Sequence, residues 1–288
     1  STANDSEVIS CASGVILDRQ GYIVTNYHVV PSSNEPNHAI FAQTRDGSLH
    51  QAFVVGCDRR TDLALLKITA ENLHAIDFES KDPQVGDIVL AIGNPNNLGQ
   101  TVTHGIVSAV SRSGSGLVTR DQMNIRQGIQ DLIQTDAPIN NGNSGGALIN
   151  TAGNLVGINT ASFNGYQTYG IGFAVPVKLV NYVAQEIIKH GRVVRGYLGI
   201  ADDERVSLKQ NNKGVLVGYV DPFGPAAGII GVGDLITEAN GRKINTVKEL
   251  IDIISKSQPK TKIPFTIIRN NETMNVSVTL VEDQTNVD

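Results

Sequence analysis

The sequence predicts an all-β first part followed by a smaller α+β second part, and two observations carry that reading. From about Ser13 to Ala174 the chain runs as short apolar stretches punctuated by Gly, Asn, Asp and Pro, without helical periodicity between them. After about Gly196 the rhythm changes to strands flanking one amphipathic helix. Many short strands with no intervening helices fit barrels or a sandwich.

In order, strands are expected at Gly14–Leu17, Ile88–Ile92, Gly105–Val110 and Leu155–Ile158. Turns fall at Asp18-Arg19-Gln20-Gly21, Asp46-Gly47 and Gly93-Asn94-Pro95. A helix follows near 177–190, because Val180, Val183, Ala184, Ile187 and Ile188 recur at helical spacing and Gly191 suits a C-cap. It makes a natural hinge. The second part has strands at Gly214–Val217 and Asp234–Ile236, a helix over Val247–Ser257, and strands at Ile263–Arg269 and Met274–Leu280. Asn270-Asn271 between the last two reads as a hairpin turn. The domains are therefore 1–193, including the linker helix, and 196–282. The polar first six residues and the tail after Glu282 read as frayed ends.

At 288 residues the chain can bury more than one core, and 40% hydrophobic with 18% charged residues is ordinary for a globular protein. A net charge of −5 without a basic cluster argues against nucleic acid as a partner. No apolar run approaches the ~20 residues of a membrane span. No signal peptide begins at Ser1, so any targeting segment has been removed or lies outside this sequence. Cys11 and Cys57 are too few for a disulfide framework; they form one bridge or two buried thiols, with the thiols favoured. The six histidines show no metal-ligand spacing, so no metal and no cofactor are expected.

The chemistry concentrates in Asn140-Asn141-Gly142-Asn143-Ser144-Gly145-Gly146. Glycines around Ser144 allow a sharp turn that exposes the hydroxyl and lets backbone N–H groups crowd an incoming carbonyl oxygen. A serine hydroxyl attacks poorly at neutral pH without a base. His28, in Thr25-Asn26-Tyr27-His28-Val29, would take its proton, and Asp62, in Thr61-Asp62-Leu63-Ala64-Leu65, would orient that imidazole. Taken singly, these are a glycine-rich turn, a core histidine and a turn-capping aspartate. The order His, Asp, Ser in matching local contexts is that of chymotrypsin-type serine proteases. The expected oxyanion hole is the backbone of Gly142, Asn143 and Ser144.

In chymotrypsin-like enzymes the residue six before the nucleophile floors the primary pocket, and here it is Pro138 rather than an acid. Asn159-Thr160-Ala161-Ser162-Phe163 is expected to form one pocket wall, mostly of small residues. Cleavage after small or medium aliphatic side chains follows. Asn143 cannot form the ion pair with a freed amino terminus that digestive relatives use, so other loops must order the site.

These residues resemble the HtrA family of serine proteases. The matching segments are Thr25–Val29, Thr61–Lys67, Gly93-Asn94-Pro95, Gln134–Ala137 and Gly142–Leu148, with similarity from about Ala12 to Leu280. The resemblance implies an all-β, chymotrypsin-like double β-barrel protease domain, then an α+β PDZ domain. Asn97–Thr103 and Gly191–Ile200 are most similar to the single-PDZ, inner-membrane-anchored stress sensors of the family. For these the resemblance implies a homotrimer in the periplasm, held to the inner membrane by an anchor absent from this chain. It implies cleavage of a membrane-bound anti-sigma factor, switched on when C-termini of misfolded outer-membrane proteins bind the PDZ domain. The implied carboxylate-binding loop is Tyr197, Leu198, Gly199 and Ile200, with Leu198 and Ile200 lining a pocket for an apolar terminal residue. A sensor loop over about 111–131 and the regulatory residues Arg112, Gln134 and Asn141 are implied in the same way. The alternative is the two-PDZ quality-control branch that degrades unfolded periplasmic proteins. Three departures stand out. Asn96 replaces the usual aromatic after Gly-Asn-Pro, and the sensor loop carries extra polar residues around Asn124–Gly128. Few residues precede Ala12.

Overall fold

The computed structural model describes residues 11–30, 39–94, 101–112, 132–139, 142–160, 170–202 and 214–283. The chain divides into two compact units, Ser1–Val193 and Val194–Asp288.

The first unit holds two sheets. Strands β1 (Val15–Ile16), β2 (Tyr22–Asn26), β3 (Ile40–Gln43), β4 (Leu49–Asp58) and β5 (Leu63–Lys67) pair in the order β1-β2-β5-β4-β3. Strands β6 (Ile88–Gly93), β7 (Thr101–Arg112), β8 (Leu132–Thr135), β9 (Ala147–Asn150), β10 (Leu155–Thr160) and β11 (Gly172–Pro176) close a barrel in the order β10-β11-β8-β7-β6-β9. The pairings are antiparallel throughout, so short turns suffice to connect neighbours.

Side-chain alternation sorts the apolar residues into layers. On β5, Leu63 and Leu65 face a core shared with β8, β10 and β11, whereas Leu66 joins Ile23, Ala52 and Ile68 within the first sheet. On β8, Leu132 enters the shared core and Ile133 the barrel interior. Leu155 and Ile158 both reach the shared core because a register shift between Leu155 and Gly157 resets the alternation.

Helix α1 (Val177–His190) completes the unit. Val177, Val180, Val183, Ala184 and Ile187 are buried in the shared core, and Gly191, left-handed at φ 75°, ends the helix by donating to Ile187 O at 2.8 Å. Cys11 is exposed, Cys57 is half-buried and no disulfide joins them, so the expectation of two buried thiols holds for neither.

The second unit pairs β12 (Gly196–Tyr197) with β19 (Val281–Glu282). Its main sheet is β13 (Ile200–Asp202), β14 (Val215–Val220), β15 (Leu235–Ala239), β17 (Lys262–Arg269) and β18 (Glu272–Thr279) in that order, with β16 (Arg242–Lys243) beside β15. Helix α2 (Val247–Lys256) starts at a capping box, in which Thr246 accepts from the Glu249 N–H and the Glu249 carboxylate accepts from the Thr246 N–H. Leu250 and Ile254 bury its apolar face against Ile263, Phe265 and Ile267. Asn270 and Asn271 both take positive φ, 52° and 66°, as the two-residue turn between β17 and β18 requires. The result is the strand-rich first unit and the strand-and-helix second unit that the sequence pattern predicted, in the order that the family resemblance implies.

Candidate active site

Ser144 sits in the turn before β9, closed by Gly146 N–H donating to Asn143 O at 2.9 Å. The carbonyl of Ser144 accepts from Ser13 N–H at 3.1 Å, and Gly145 N–H donates to Asn159 O at 2.9 Å. Gly145 has φ 80°, and a Cβ there would collide with Ser13 O and Thr25 Oγ1. Only glycine fits where the nucleophile turn meets β2.

His28 lies on a single 3₁₀ turn, Tyr27–Val29, that follows β2 directly. Its Nδ1 is 2.7 Å from Asp62 Oδ2 and 3.0 Å from Oδ1, and its backbone N–H donates to Oδ1 at 3.0 Å. The carboxylate accepts, so the network assigns the proton to Nδ1 and leaves the Nε2 lone pair free to act as a base. Thr160 Oγ1 also donates to Asp62 Oδ2, at 2.8 Å. The carboxylate is thus nearly enclosed, while a third of the imidazole remains exposed, with side-chain accessibilities of 11% and 33%.

Asp62 itself is strained. Its φ of 55° is unusual for a residue with a Cβ and costs on the order of 1–2 kcal/mol. Tyr27 N–H and Asn26 Nδ2 both donate to its carbonyl at 3.0 Å, which holds the residue in that conformation. The strand before His28 and the turn carrying Asp62 are therefore locked backbone to backbone.

The decisive juxtaposition runs through β10. Asn159 binds the nucleophile turn through Gly145, and the next residue, Thr160, binds Asp62. Two successive residues of one strand hold both ends of the constellation. Among the described residues Ser144 Oγ makes no hydrogen bond to the imidazole, as is common before substrate aligns a nucleophile and its base.

The turn expected to form the oxyanion hole is held from outside. Ser13 Oγ donates to Gly142 O at 2.5 Å and accepts from Asn94 N–H at 2.8 Å. Asn143 is buried; its Nδ2 reaches Pro138 O at 3.4 Å and, among the described residues, its Oδ1 has no partner. Pro138 is exposed, and its carbonyl also accepts from Thr103 Oγ1 at 2.8 Å.

In the second unit, Gly199 turns the chain between β12 and β13 with φ 78°. Its carbonyl accepts from Asp221 N–H at 2.8 Å, and Ile200 faces Val220 in register. That pattern makes Ile200–Val220 a non-hydrogen-bonded pair, so the Ile200 N–H and C=O point away from β14. They face an edge on which no described strand pairs. Leu198 is buried in the core of this unit and Ile200 packs half-buried against it. Tyr197 Oη donates to Asp221 Oδ2 at 3.0 Å; burial and the adjacent Asp221 carboxylate push the phenol up to about 12.

Residues 12–158 match the trypsin-like peptidase domain and residues 197–280 match the PDZ domain. Serine endoprotease DegS of Escherichia coli (strain K12) is 40% identical over 292 residues, covering 97% of this chain and 79% of DegS. The chain belongs to the HtrA family of serine endoproteases. The periplasmic pH-dependent serine endoprotease DegQ of the same strain is 40% identical over 93% of this chain, which spans 58% of DegQ. The solved structure of the HtrA-type protease AlgW with a tripeptide superposes at TM-score 0.81 with 40% identity, covering 95% of this chain and 90% of that one.

Of the residues singled out in this HtrA-family chain, Gln134 lies half-buried on β8 opposite Phe173. Arg112 ends β7, its backbone in register with Leu132. The Arg112 side chain, Asn96, Asn141, residues 113–131 of the sensor loop and residues 161–163 of the pocket wall lie outside the described residues. Three site residues escaped sequence reasoning: Ser13, Asn26 and Thr160. Ser13 and Asn26 act through backbone groups far along the chain, and no local pattern marks them. Thr160 fell within the predicted pocket wall but turns toward Asp62.

Proposed function

We propose that His28, Asp62 and Ser144 form the catalytic triad of a regulated periplasmic endopeptidase. The observation that carries this reading is the double tie from β10, Asn159 to the serine turn and Thr160 to the aspartate. Ser144 Oγ attacks the scissile carbonyl as His28 Nε2 takes its proton, and the oxyanion forms against the N–H groups of Gly142 and Ser144. The imidazolium, stabilised by Asp62, protonates the leaving amine as the C–N bond breaks. Water, deprotonated by the same imidazole, then hydrolyses the acyl-enzyme.

The loop Tyr197–Ile200 captures peptide carboxyl termini, and the peptide continues as a strand along the open edge of β13. Support comes from the outward-facing Ile200 backbone, the match to the PDZ domain and the likeness to a peptide-bound HtrA-type protease. Similarity to DegS favours a stress sensor: a homotrimer tethered at the inner membrane that cleaves an anti-sigma-factor-like protein when C-termini of misfolded outer-membrane proteins bind. Arg112, Gln134 and Asn141 relay that signal to the oxyanion turn. A peptide activates only by binding the active conformer more tightly than the resting one.

The test is turnover of a peptide substrate with and without added peptides bearing apolar C-termini. Stimulation is expected, with activity absent in Ser144→Ala. The similarity to DegQ motivates the second reading, a quality-control protease of unfolded proteins. Constitutive hydrolysis of casein, unchanged by such peptides, selects it and removes the sensor.

A further inference from the structure

Asp221 follows β14 at the back of the proposed carboxylate loop, and its bonds are more numerous than a turn residue needs. Its N–H donates to Gly199 O at 2.8 Å. One carboxylate oxygen accepts from Tyr197 Oη at 3.0 Å, and the other accepts from Phe223 N–H at 3.0 Å. Its carbonyl accepts from Gly224 N–H at 3.0 Å, closing the turn. A Cβ on Gly199 would lie 3.2 Å from Gly224 Cα and 3.3 Å from Pro225 Cδ, so the two loops are in close contact. One side chain therefore ties Tyr197, at the entry of the carboxylate loop, to the 221–225 turn, while its backbone ties down the Gly199 carbonyl.

The consequence follows from peptide planarity. The Gly199 C=O and the Ile200 N–H belong to one peptide unit and point in opposite directions. Holding the carbonyl on Asp221 aims the N–H at the open edge of β13, where a terminal carboxylate would sit. That bond comes from the main-chain N–H of Asp221; the carboxylate's part is to hold this N–H in place, by fixing the 221–225 turn through Phe223 N–H and tying it to Tyr197, since a glycine peptide can otherwise rotate. Burial, with the hydrogen bond to Asp221 adding to it, raises the Tyr197 phenol to about 12, in keeping with a hydroxyl that stays protonated and donates.

We propose that Asp221 is a positioning residue of the peptide-binding loop: it pre-orients the backbone N–H groups that select a free terminal carboxylate over a blocked one. This rests on the reading of Tyr197–Ile200 as a carboxylate site. Asp221 touches no ligand itself, and its oxygens are already occupied by Tyr197 and Phe223. Phe223, which is 97% exposed at the tip of the clamped turn, has no part in the selection.

The experiment measures binding of one fluorescent peptide with an apolar C-terminal residue to the full chain, as the free acid and as the C-terminal amide. The wild type is expected to favour the acid. Asp221→Ala is expected to weaken the acid by about tenfold and leave the amide unchanged, in line with loss of two side-chain hydrogen bonds. Asp221→Asn, which keeps an acceptor, should stay within about threefold of wild type, and Tyr197→Phe should lose about threefold. Thermal melts identify folded variants, and Asp221→Asn and Tyr197→Phe carry the test if Asp221→Ala fails to fold. Unchanged acid-over-amide selectivity in folded Asp221→Ala or Tyr197→Phe overturns the clamp, as does a larger loss in Phe223→Ala. Equal binding of acid and amide by the wild type instead overturns the carboxylate site itself.

Discussion

Asp62 in the first unit and Asp234 in the second are both buried carboxylates with their oxygens occupied, and their partners differ in kind. Asp62 accepts from His28 N–H, His28 Nδ1 and Thr160 Oγ1. Asp234 accepts from Arg269 Nε and Nη2 at 2.7 and 2.6 Å, and from Gly231 N–H at 2.7 Å. Arg269 also donates to Ile229 O, so the ion pair staples the 229–234 turn to β17. A guanidinium is always protonated and leaves this pair nothing to exchange. An imidazole can gain and lose a proton near neutral pH, so the same carboxylate chemistry becomes a device for moving protons. Strain follows the same division: Asp62 sits at positive φ and Asp234 does not. On the proposed triad, what a buried aspartate faces, rather than how deeply it lies, is what gives it a function.

The largest expected effect separates the two directly. Asp62→Asn should lower kcat for peptide hydrolysis by about ten-thousandfold, because the amide can hold the imidazole in the wrong tautomer. Ser144→Ala should do at least as much, with thermal denaturation of the first unit little changed. Hydrolysis by Asp62→Asn within tenfold of wild type would erase the distinction drawn between the aspartates.

Asp234→Ala should instead destabilise the second unit by roughly 2–3 kcal/mol, since it strands the Gly231 N–H and the guanidinium that the carboxylate served. A lowered melting transition for that unit is the readout. The same pair sets a pH dependence. Burial alone would raise the Asp234 carboxyl, but Arg269 and the Gly231 N–H outweigh it and hold the group below its ordinary value of 3.8. Its contribution to stability is therefore complete above that value and is lost as the pH falls below it. Equilibrium denaturation of wild type and Asp234→Asn should converge in strong acid; a constant gap down to pH 2 would refute the linkage.

Thr160→Val offers the finest cut. It removes one donor from Asp62 while preserving shape, and kcat should fall about tenfold with KM unchanged, matching loss of one hydrogen bond to a charged acceptor. A change confined to KM would place Thr160 in the pocket wall, where the sequence alone put it.

Much of this molecule was legible from residue order. The helix expected near 177–190 is Val177–His190, because five apolar residues at helical spacing and a following glycine are local signals. The Asn270-Asn271 hairpin was readable for the same reason, since asparagine tolerates the two positive φ angles. His28, Asp62 and Ser144 were recognisable as a set because each sits in a short motif of its own. The burial of Leu198 was not readable: a loop leucine can face a ligand or the core, and only packing against neighbours such as Ile263 and Leu280 decides.

The sequence by itself determined the strand-rich first unit, the helix that completes it, the α+β second unit and the three reactive side-chain types, because periodicity and functional-group chemistry are local properties. Tertiary structure decided which residues hold the chemistry in place. Ser13 reaches Gly142 from 129 positions away, Thr160 reaches Asp62 from 98, and Tyr197 reaches Asp221 from 24. A hydrogen bond to a distant backbone or carboxylate leaves no pattern along the chain, since a serine or threonine donates equally well to water until folding removes the water and supplies the partner.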